Sequence, residues 1–287
     1  MGVRCEVTVV GETSAVIAQQ CLHRIAQYEL LWSRFIPTSD ISRLNAAHGE
    51  PVWVDAQTTQ LVAYMLAAHA ETNGHFNPTL LPLQILAGDS RSLVDEKVTV
   101  LNDDATAHNT MDSVRILEDG RVQLLNDASL DAGGIAKGFT ADLVMEDALR
   151  CGATSACINI GGDMAIHTGS EEAWPVHVMS PIHKDKTVDT VLISHGAVAT
   201  SAVNARHRDG SNVVNHIFTP HGASTTRTMG ATVVASHAAW AEAYTKYALI
   251  APPHEALQAI SDKGLAALLV LNDDTILSTN SWKELAQ

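Results

Sequence analysis

The sequence predicts a single α+β domain, residues 1–287, with antiparallel sheets and grouped helices. Strands follow one another between residues 155 and 235 without the regular strand–helix alternation of a parallel sheet. Hydrophobic residues make up 46% of the chain and charged residues 17%, the composition of a globular protein with a large core. No linker, internal repeat or low-complexity run divides the chain, so one continuous domain is the better interpretation.

The N-terminal part is predicted to contain one strand and two helices. Apolar residues alternate with polar ones over 3–9, the period of a half-buried strand. Residues 14–32 carry apolar side chains at helical spacing, and a polar loop containing a proline follows over 33–45. A second helix is expected from Asp55, a plausible N-cap, to Asn73, before Gly74.

Further elements are predicted from turn residues and from apolar runs. They are a hairpin over 112–125 around Asp119-Gly120, a helix from the glycine-rich turn 131–138 to about Cys151, a helix over about 237–251, another after Pro253, a strand over 264–271 and a short hairpin that ends the chain. Residues 75–83, which contain two prolines, are expected to form an extended loop.

The net charge indicates which partners the protein can bind, and the cysteines indicate the cellular compartment in which it works. Eighteen basic and 32 acidic residues give a net charge of −14, which argues against nucleic acid or an anionic membrane as the main partner. No stretch approaches the roughly 18 apolar residues of a membrane span, and the N-terminus has no signal-peptide core. The four cysteines show no zinc-type spacing, so we expect four buried thiols in a reducing cytoplasm, with a processed exported form as the alternative.

The strongest chemical motif is LDAGGIAKGFTADLV, residues 130–144. Gly133 and Gly134 let the backbone come close to a ligand, and Lys137 follows in the first turn of the predicted helix, where free N–H groups suit a phosphate or ribose. The motif is neither a Walker A loop nor a dinucleotide-binding GxGxxG fingerprint. Taken alone, a helix start packed for steric reasons is an equally good interpretation.

Other motifs are weaker, and each has a structural alternative. Phe76 in HFNPTLLPL could stack on a planar ring, but an ordinary loop is the better interpretation of that segment. INIGGD and VATSA could expose backbone or hydroxyl groups, and more often form turns. His216 is a base candidate only if it lies in a pocket. Glu242 and Lys246, spaced i,i+4, indicate either a surface ion pair or a partly buried pair on an apolar helix.

In their order along the chain these motifs resemble those of the ApbE family, the FAD:protein FMN transferases. Met1-Gly2 is similar to the family's opening MGT, HFNPTLLPL to GxFDPTVGPL, LDAGGIAKGFTADLV to LDLGGIAKGYAxD, INIGGD to NxGGD, VATSA to ATSG, NHIFTP to HIIDP, and GATVVASHAAWAEAYTKYAL to TVVAPxAxxADALATAL. The likeness extends over more than 200 residues. It implies an ApbE-like, T-fold-related α+β fold.

The resemblance implies a specific activity. Family members bind FAD and, with Mg²⁺, move its FMN half onto a Ser or Thr of a target flavoprotein, releasing AMP; some hydrolyse FAD to FMN and AMP. It places along the cofactor Met1, Phe35, His75, Phe76, Asn77, Asp131, Lys137, Ile217 and Phe218, with Thr200 and Ser201 near the phosphates and His216 as the general base.

The residues that the resemblance assigns to the metal depart from the family pattern. The family ligands correspond here to the Gly134 carbonyl, to Glu242 in place of an Asp, and to Lys246 in place of a Thr, with Thr245 adjacent as a substitute ligand. An ammonium has no lone pair to offer a metal. Two hypotheses remain: Mg²⁺ binds with altered ligands, or the Lys246 ammonium takes the metal's place against the pyrophosphate.

The sequence thus leaves three functions open. The leading one is FMN transfer from FAD to an acceptor flavoprotein that carries a Ser/Thr flavinylation motif. The second is FAD pyrophosphohydrolysis, and the third is FAD binding without catalysis. The acceptor cannot be named from this chain, which lacks a DGxSGAT-like motif of its own.

Overall fold

The structure is a computed structural model. It describes residues 2–92, 97–170, 172–203 and 227–286, and the backbone of 218–219 and 222–223. The chain forms two compact units. The first contains Gly2 and the described residues of 27–136 with 218–219 and 222–223, and the second contains those of 3–26, 137–203 and 227–286. The single-domain interpretation stays a prediction.

Helices and antiparallel strands both contribute, which confirms the α+β prediction. The described helices are α1 (Ser14–Trp32), α2 (Asp40–Asn45), α3 (Ala56–Glu71), α4 (Leu81–Leu86), α5 (Ala136–Arg150), α6 (Ala238–Ile250), α7 (Pro253–Asp262) and α8 (Asn280–Leu285). The described strands are β1 (Cys5–Val10), β2 (Val114–Ile116), β3 (Val122–Leu124), β4 (Ser155–Ile160), β5 (Asp163–His167), β6 (Trp174–Met179), β7 (Thr187–Ile193), β8 (His195–Ala202), β9 (Phe218–Thr219), β10 (Gly222–Ala223), β11 (Thr228–Ala235), β12 (Ala266–Leu271) and β13 (Ile276–Ser278).

The second unit is built on a seven-stranded sheet in the order β1-β4-β5-β8-β11-β12-β13, in which every neighbouring pair is antiparallel. The hairpin of β6 and β7 contributes Val176, Val178 and Val191 to a core shared with strands of the sheet and with Trp282 of α8. Helix α6 packs on β8 and β11, and α7 packs on β12. The sheet therefore carries the strand ends and the helix that bear several predicted site residues.

The first unit contains helices α2–α4 and the short hairpin of β2 and β3. Asp55 caps α3 by accepting a hydrogen bond from the Gln57 N–H, as predicted, and Gly74 lies in the left-handed region at φ 82°. The hairpin turns through Asp119-Gly120, and Gly120 has a φ of 89°, a conformation that favours glycine. The turn residues thus correctly predicted these elements.

Three short helices were not predicted. Residues 33–45 were expected to be a loop, but Ser39 accepts a hydrogen bond from the Ser42 N–H and so caps α2. Residues 75–83 were expected to be extended, but Pro82 lies in the first turn of α4, where its missing N–H costs no hydrogen bond. After the final hairpin, α8 begins behind Thr279, whose hydroxyl accepts from the Trp282 N–H.

The expectation of four buried thiols was wrong in part. Cys21 and Cys157 are buried, Cys5 is partly exposed and Cys151 is exposed. Cys151 directly follows the last residue of α5, where the helix meets solvent. Among the helices of the described residues, none combines the length and the apolar composition needed to cross a bilayer.

Candidate functional site

Five of the predicted site residues lie together in the second unit, joined by a sixth residue, Asp163. We call this group the ammonium cluster, and its members are Lys137, Asp163, Ser201, Glu242, Thr245 and Lys246. Lys137 is the second residue of α5, Asp163 begins β5, and Ser201 is the last residue but one of β8. The other three members are on α6, where spacings of three and four residues place them on one face.

Lys137 is held by two carboxylates from different elements. Its Nζ donates to Asp163 Oδ2 and to Glu242 Oε1. The second oxygen of Glu242, Oε2, accepts the Gly138 N–H at 2.8 Å. Glu242 is therefore tied to the first turn of α5 through both of its oxygens, which fixes the position of α6 against that turn.

A chain of hydroxyl groups connects Lys246 to the backbone of α6. Lys246 Nζ donates to Ser201 Oγ at 2.7 Å and lies 3.8 Å from Glu242 Oε1. Thr245 Oγ1 donates to the Glu242 carbonyl at 2.6 Å, which uses its one hydroxyl proton, so Ser201 must be the donor in the 2.7 Å bond between Ser201 Oγ and Thr245 Oγ1. The direction of every bond in this chain is thereby fixed.

The charges of the cluster are strongly coupled because the acids are buried. The side chains of Asp163 and Glu242 are 2% and 0% exposed. Burial and the nearby Glu242 charge raise the pKa of Asp163. Burial also opposes ionisation of Glu242, but attraction by Lys137 and Lys246 outweighs it and lowers the pKa of Glu242. Burial opposes the charge of Lys137 as well, yet Asp163 and Glu242 raise its pKa, so Lys137 is an ammonium throughout the physiological pH range.

The ammonium cluster does not fit a divalent cation. Both Glu242 oxygens are engaged, and Thr245 Oγ1 accepts from Ser201 and lies 3.3 Å from Lys246 Nζ. Asp163 Oδ1 has no hydrogen-bond partner among the described residues, but it is buried out of reach of solvent, whereas Mg²⁺ usually keeps several of its waters. Two ammonium groups already neutralise the two acids. In the described part of the chain no group of three or more His, Cys, Asp or Glu side chains is placed to hold a metal.

A second group of predicted residues lies in the first unit around Arg34, whose side chain is 4% exposed. Arg34 forms an ion pair with Asp89 at 3.0 Å, donates to Thr99 Oγ1 at 2.8 Å and lies 3.5 Å from Asp131 Oδ1. Its guanidinium also lies 4.3 Å from the centroid of the Phe35 ring. Asp131 Oδ1 in turn accepts the Gly133 N–H at 3.1 Å, which orders the glycine-rich turn that contains Gly134.

The loop that was expected to line the flavin is held by its own hydrogen bonds. Phe76 is 4% exposed, so its ring packs in the core and offers no open face for stacking, as in the ordinary-loop interpretation. The Asn77 amide donates to the His108 carbonyl at 2.7 Å and its oxygen accepts from Thr79. His75 Nδ1 is 2.9 Å from the Thr72 carbonyl oxygen. These bonds stabilise the loop that precedes α4.

Among the remaining predicted residues, Thr200 has a described side chain, and its hydrogen bond lies outside both groups. Thr200 Oγ1 pairs with Thr232 Oγ1 at 3.0 Å, between neighbouring strands β8 and β11. Met1, His216 and Ile217 lie outside the described residues, and of Phe218 only the backbone, in β9, is described. Their assignment to the cofactor and to general-base catalysis stays a prediction.

Two residues that organise these groups were not among the predicted site residues. Asp163 ends the INIGGD motif, whose two glycines predict a turn with exposed backbone and assign no role to the acid. Arg34 lies in a segment that was expected to be a polar loop, where an arginine gives no sign of being buried. The sequence signal that could have identified Asp163 is the position of an acid directly after two glycines at a strand end. Arg34 has no comparable signal.

Comparison with known proteins agrees with this architecture. The chain is 23% identical over 296 aligned residues to a protein of Klebsiella pneumoniae named FAD:protein FMN transferase, an alignment that covers 95% of this chain and 83% of that protein. The ApbE protein of Thermotoga maritima superimposes with a TM-score of 0.86 at 23% identity, over 98% of this chain and 94% of that one. The flavin transferase ApbE of Vibrio cholerae gives 0.80 at 18% identity, over 99% and 96%.

At these identities the solved structures establish the fold alone. The family assignment comes from the sequence profile of the ApbE family, which matches residues 1–269 and so includes every member of the ammonium cluster and the glycine-rich turn. The chain therefore belongs to the ApbE family.

Proposed function

We propose that this protein is an FAD:protein FMN transferase, which moves the FMN half of FAD onto a Ser or Thr hydroxyl of an acceptor flavoprotein and releases AMP. The observation that carries the proposal is the match of residues 1–269 to the ApbE family. The relative from Klebsiella pneumoniae bears the name of this activity. FAD is accordingly the proposed substrate and a flavoprotein the proposed macromolecular partner.

The reaction is an attack on phosphorus. The acceptor oxygen forms a bond to the phosphorus of the FMN half, the bridging P–O bond of the pyrophosphate breaks, AMP leaves with that oxygen, and the hydroxyl proton passes to a base. Such a transfer needs in-line positioning and neutralisation of the phosphate charge more than covalent help from the protein. His216 is the proposed base, and the ammonium groups of Lys137 and Lys246 are the proposed cations.

The proposed site for the flavin half rests on the residues around the glycine-rich turn. Asp131 is held in place by Arg34 and by the Gly133 N–H, so its carboxylate is oriented before any ligand arrives. Phe35, His75, Asn77, Ile217, Phe218 and Met1 complete the set proposed to lie along the cofactor. Among the described members, the Phe35 ring lies against the buried Arg34 guanidinium, and this contact with the residue that orients Asp131 supports the place of Phe35 in the set.

The test is incubation of the protein with FAD, with and without an acceptor flavoprotein, in EDTA and in MgCl₂. AMP release is followed by chromatography, and covalent flavin is detected as fluorescence of the acceptor on a denaturing gel. Labelled acceptor supports the proposal. AMP formed at the same rate without an acceptor would show hydrolysis instead, and bound FAD with neither product would show a binding protein.

A His216→Ala variant tests the proposed base. We expect transfer to fall by about a hundredfold or more, in the range of general-base contributions, while FAD affinity changes little. His23→Ala is the matched control, because His23 is exposed on α1. Unchanged transfer in the His216→Ala variant would remove this residue from the mechanism.

A further inference from the structure

Two histidines lie directly opposite each other on neighbouring strands of the seven-stranded sheet. His167 is the last residue of β5 and His195 is the first residue of β8, and the antiparallel register pairs them. Opposed residues of a sheet place their side chains on one face, with Cβ atoms about 4.5–5.5 Å apart. The two imidazoles accordingly lie side by side, although they are 28 positions apart in the chain.

The ring nitrogens that face each other are at a chelating distance. His167 Nδ1 lies 3.2 Å from His195 Nδ1, and the ring centroids are 4.6 Å apart with the rings tilted by 55°. Since Zn²⁺ lies about 2.0–2.1 Å from an imidazole nitrogen, this separation corresponds to an N–metal–N angle of about 100°. That angle falls between the values of about 90° and about 109° that octahedral and tetrahedral ions prefer.

The two rings are joined in the structure by one hydrogen bond, in which one Nδ1 donates and the other accepts. A bound metal needs the lone pairs of both Nδ1 atoms, so the donor ring must carry its proton on Nε2 instead, by exchange with solvent. Each neutral ring keeps one proton, and a small rotation of the rings turns both lone pairs toward one ion. Binding therefore forms two metal–nitrogen bonds and breaks one hydrogen bond, with no change of oxidation state.

The backbone beneath the rings is fixed on both sides of the pair. Beyond the two strand ends, the Thr168 N–H donates to the Ser194 carbonyl at 2.8 Å. At the next position of β8, Gly196 packs so closely on β11 that a Cβ atom there would lie 2.8 Å from the Ala235 carbonyl oxygen. One ring of the pair is exposed and the other is partly exposed. An ion can thus reach from solvent two ligands whose spacing is set before it arrives.

We propose that His167 and His195 form a bidentate site for a divalent transition-metal ion. Imidazole suits Cu²⁺, Ni²⁺ and Zn²⁺, whereas Mg²⁺ prefers oxygen ligands, and two protein ligands leave the other coordination positions to water. Since β5 runs from Asp163 to His167, the site lies about 13 Å along the strand from that member of the ammonium cluster. The inference does not depend on the proposed function.

The first experiment is a calorimetric titration of tag-free protein with Cu²⁺–iminodiacetate at pH 7.5. The chelator occupies part of the coordination sphere and leaves positions that two neighbouring imidazoles can fill together. We expect His167→Ala and His195→Ala each to weaken binding by about a hundredfold or more, because the second imidazole acts as an intramolecular ligand. His177→Ala is the matched control and should bind like the wild type, because His177 is also an exposed strand histidine but pairs with the Thr190 hydroxyl.

A second measurement uses the wild-type protein and does not depend on the folding of the variants. Electron spin-echo envelope modulation of Cu²⁺, added at less than one ion per chain, counts the imidazoles that bind it. We expect two. A single imidazole would overturn the inference, because the ion would then be held by a lone histidine.

The remaining outcomes also decide the inference. Absence of binding by the wild type, or a His167→Ala or His195→Ala variant that binds as tightly, would show that the pair is only a hydrogen bond between strands. Loss of binding in His177→Ala, with His167→Ala unaffected, would place the ion at another histidine and overturn the inference as well. None of these results bears on flavin transfer, so the proposed function stands or falls separately.

Discussion

Gly138 is the point at which the backbone of α5 meets the first turn of α6. A Cβ atom at this position would overlap the Ala238 carbonyl and come within 2.7 Å of the Ala239 nitrogen. The same residue donates its N–H to Glu242 Oε2. Its missing side chain therefore permits both the close approach of two helices and the fixed position of a buried acid.

We expect Gly138→Ala to destabilise the protein by about 3 kcal/mol or more, because backbone atoms cannot yield to the added methyl group as a side chain could. The free energy of unfolding in urea measures the effect. Glu146→Ala, at an exposed position of the same helix, should change it by less than about 0.5 kcal/mol. Equal stability of the two variants would show that α6 can move away from α5 without loss.

Two arginines of similar chemistry differ in burial and allow a second comparison. Arg34 is 4% exposed in its ion pair with Asp89, whereas Arg24 is 50% exposed in its 3.2 Å pair with Asp147. Arg34→Met should cost about 3–5 kcal/mol of unfolding free energy because it removes a buried cation from beside Asp89 and Asp131. Arg24→Met should cost less than about 1 kcal/mol. Thermal and urea unfolding of the two variants test this, and similar losses would contradict it.

At the scale of residues, the sequence identified several members of the ammonium cluster as candidate site residues, but it did not predict which of them form bonds with one another. Lys137, Glu242 and Lys246 were singled out from a glycine-rich turn and a helical spacing. Their pairing was not predictable, because Lys137 bonds residues 26 and 105 positions away in the chain. Asp163 was missed for the same reason, since nothing near it in sequence shows that a lysine of α5 will lie beside it.

Among the elements, α6 is largely buried, and its N-terminus is capped by a residue of another helix. Ten of its residues are buried, but its N-cap, His237, makes no side-chain capping bond. Asp142 of α5 supplies the cap instead, and its two oxygens accept the Ala238 and Ala239 N–H groups at 2.7 and 2.9 Å. A carboxylate at this end of a helix also faces the positive end of the helix dipole.

The Asp142 cap should make stability depend on pH. Burial raises the pKa of Asp142 to about 6, although its two backbone N–H partners and His237 act in the opposite direction. A carboxyl whose pKa is higher in the folded state contributes most stability below about pH 4, and this contribution is lost as the pH rises through about 6. Above about pH 6 the folded protein must hold the buried Asp142 carboxylate in its ionised form, which lowers the free energy of unfolding.

The measurement is the unfolding free energy of the wild type and of Asp142→Asn between pH 4 and pH 7. Since the amide does not titrate, the stability of the wild type relative to the variant should fall across this range, by up to about 3 kcal/mol at 1.4 kcal/mol per pKa unit. Glu146, which adds to the shift, gives a control: Glu146→Gln should retain most of the dependence. A difference that stays constant or rises with pH would contradict the raised pKa.

Long elements were predicted from periodicity and short ones were not, for a physical reason. Helix α1 has the predicted bounds because 19 residues offer several turns of apolar spacing. Helices α2, α4 and α8 have six residues each, too few for a period, and only their caps or prolines mark them. In α4 the prolines indicated a loop, although a proline in the first turn is compatible with a helix.

At the scale of the whole molecule, the net charge of −14 opposes the approach of any anionic ligand. If FAD is the substrate, association must overcome long-range repulsion before the ligand reaches its proposed site. Screening shortens the range of that repulsion from about 30 Å at 0.01 M salt to about 8 Å at 0.15 M. Contacts at hydrogen-bond distance are screened much less.

We therefore expect the association rate constant for FAD to rise with NaCl concentration over this range, while the dissociation rate constant changes less. Stopped-flow quenching of flavin fluorescence in EDTA measures both. Replacing the exposed Asp103 and Asp104 by lysine changes the net charge from −14 to −10, since each substitution adds two charges, and should speed association most at low salt. Association that slows as salt is added would mean instead that local positive charge governs the encounter, so that the overall charge has no influence on how the anion arrives.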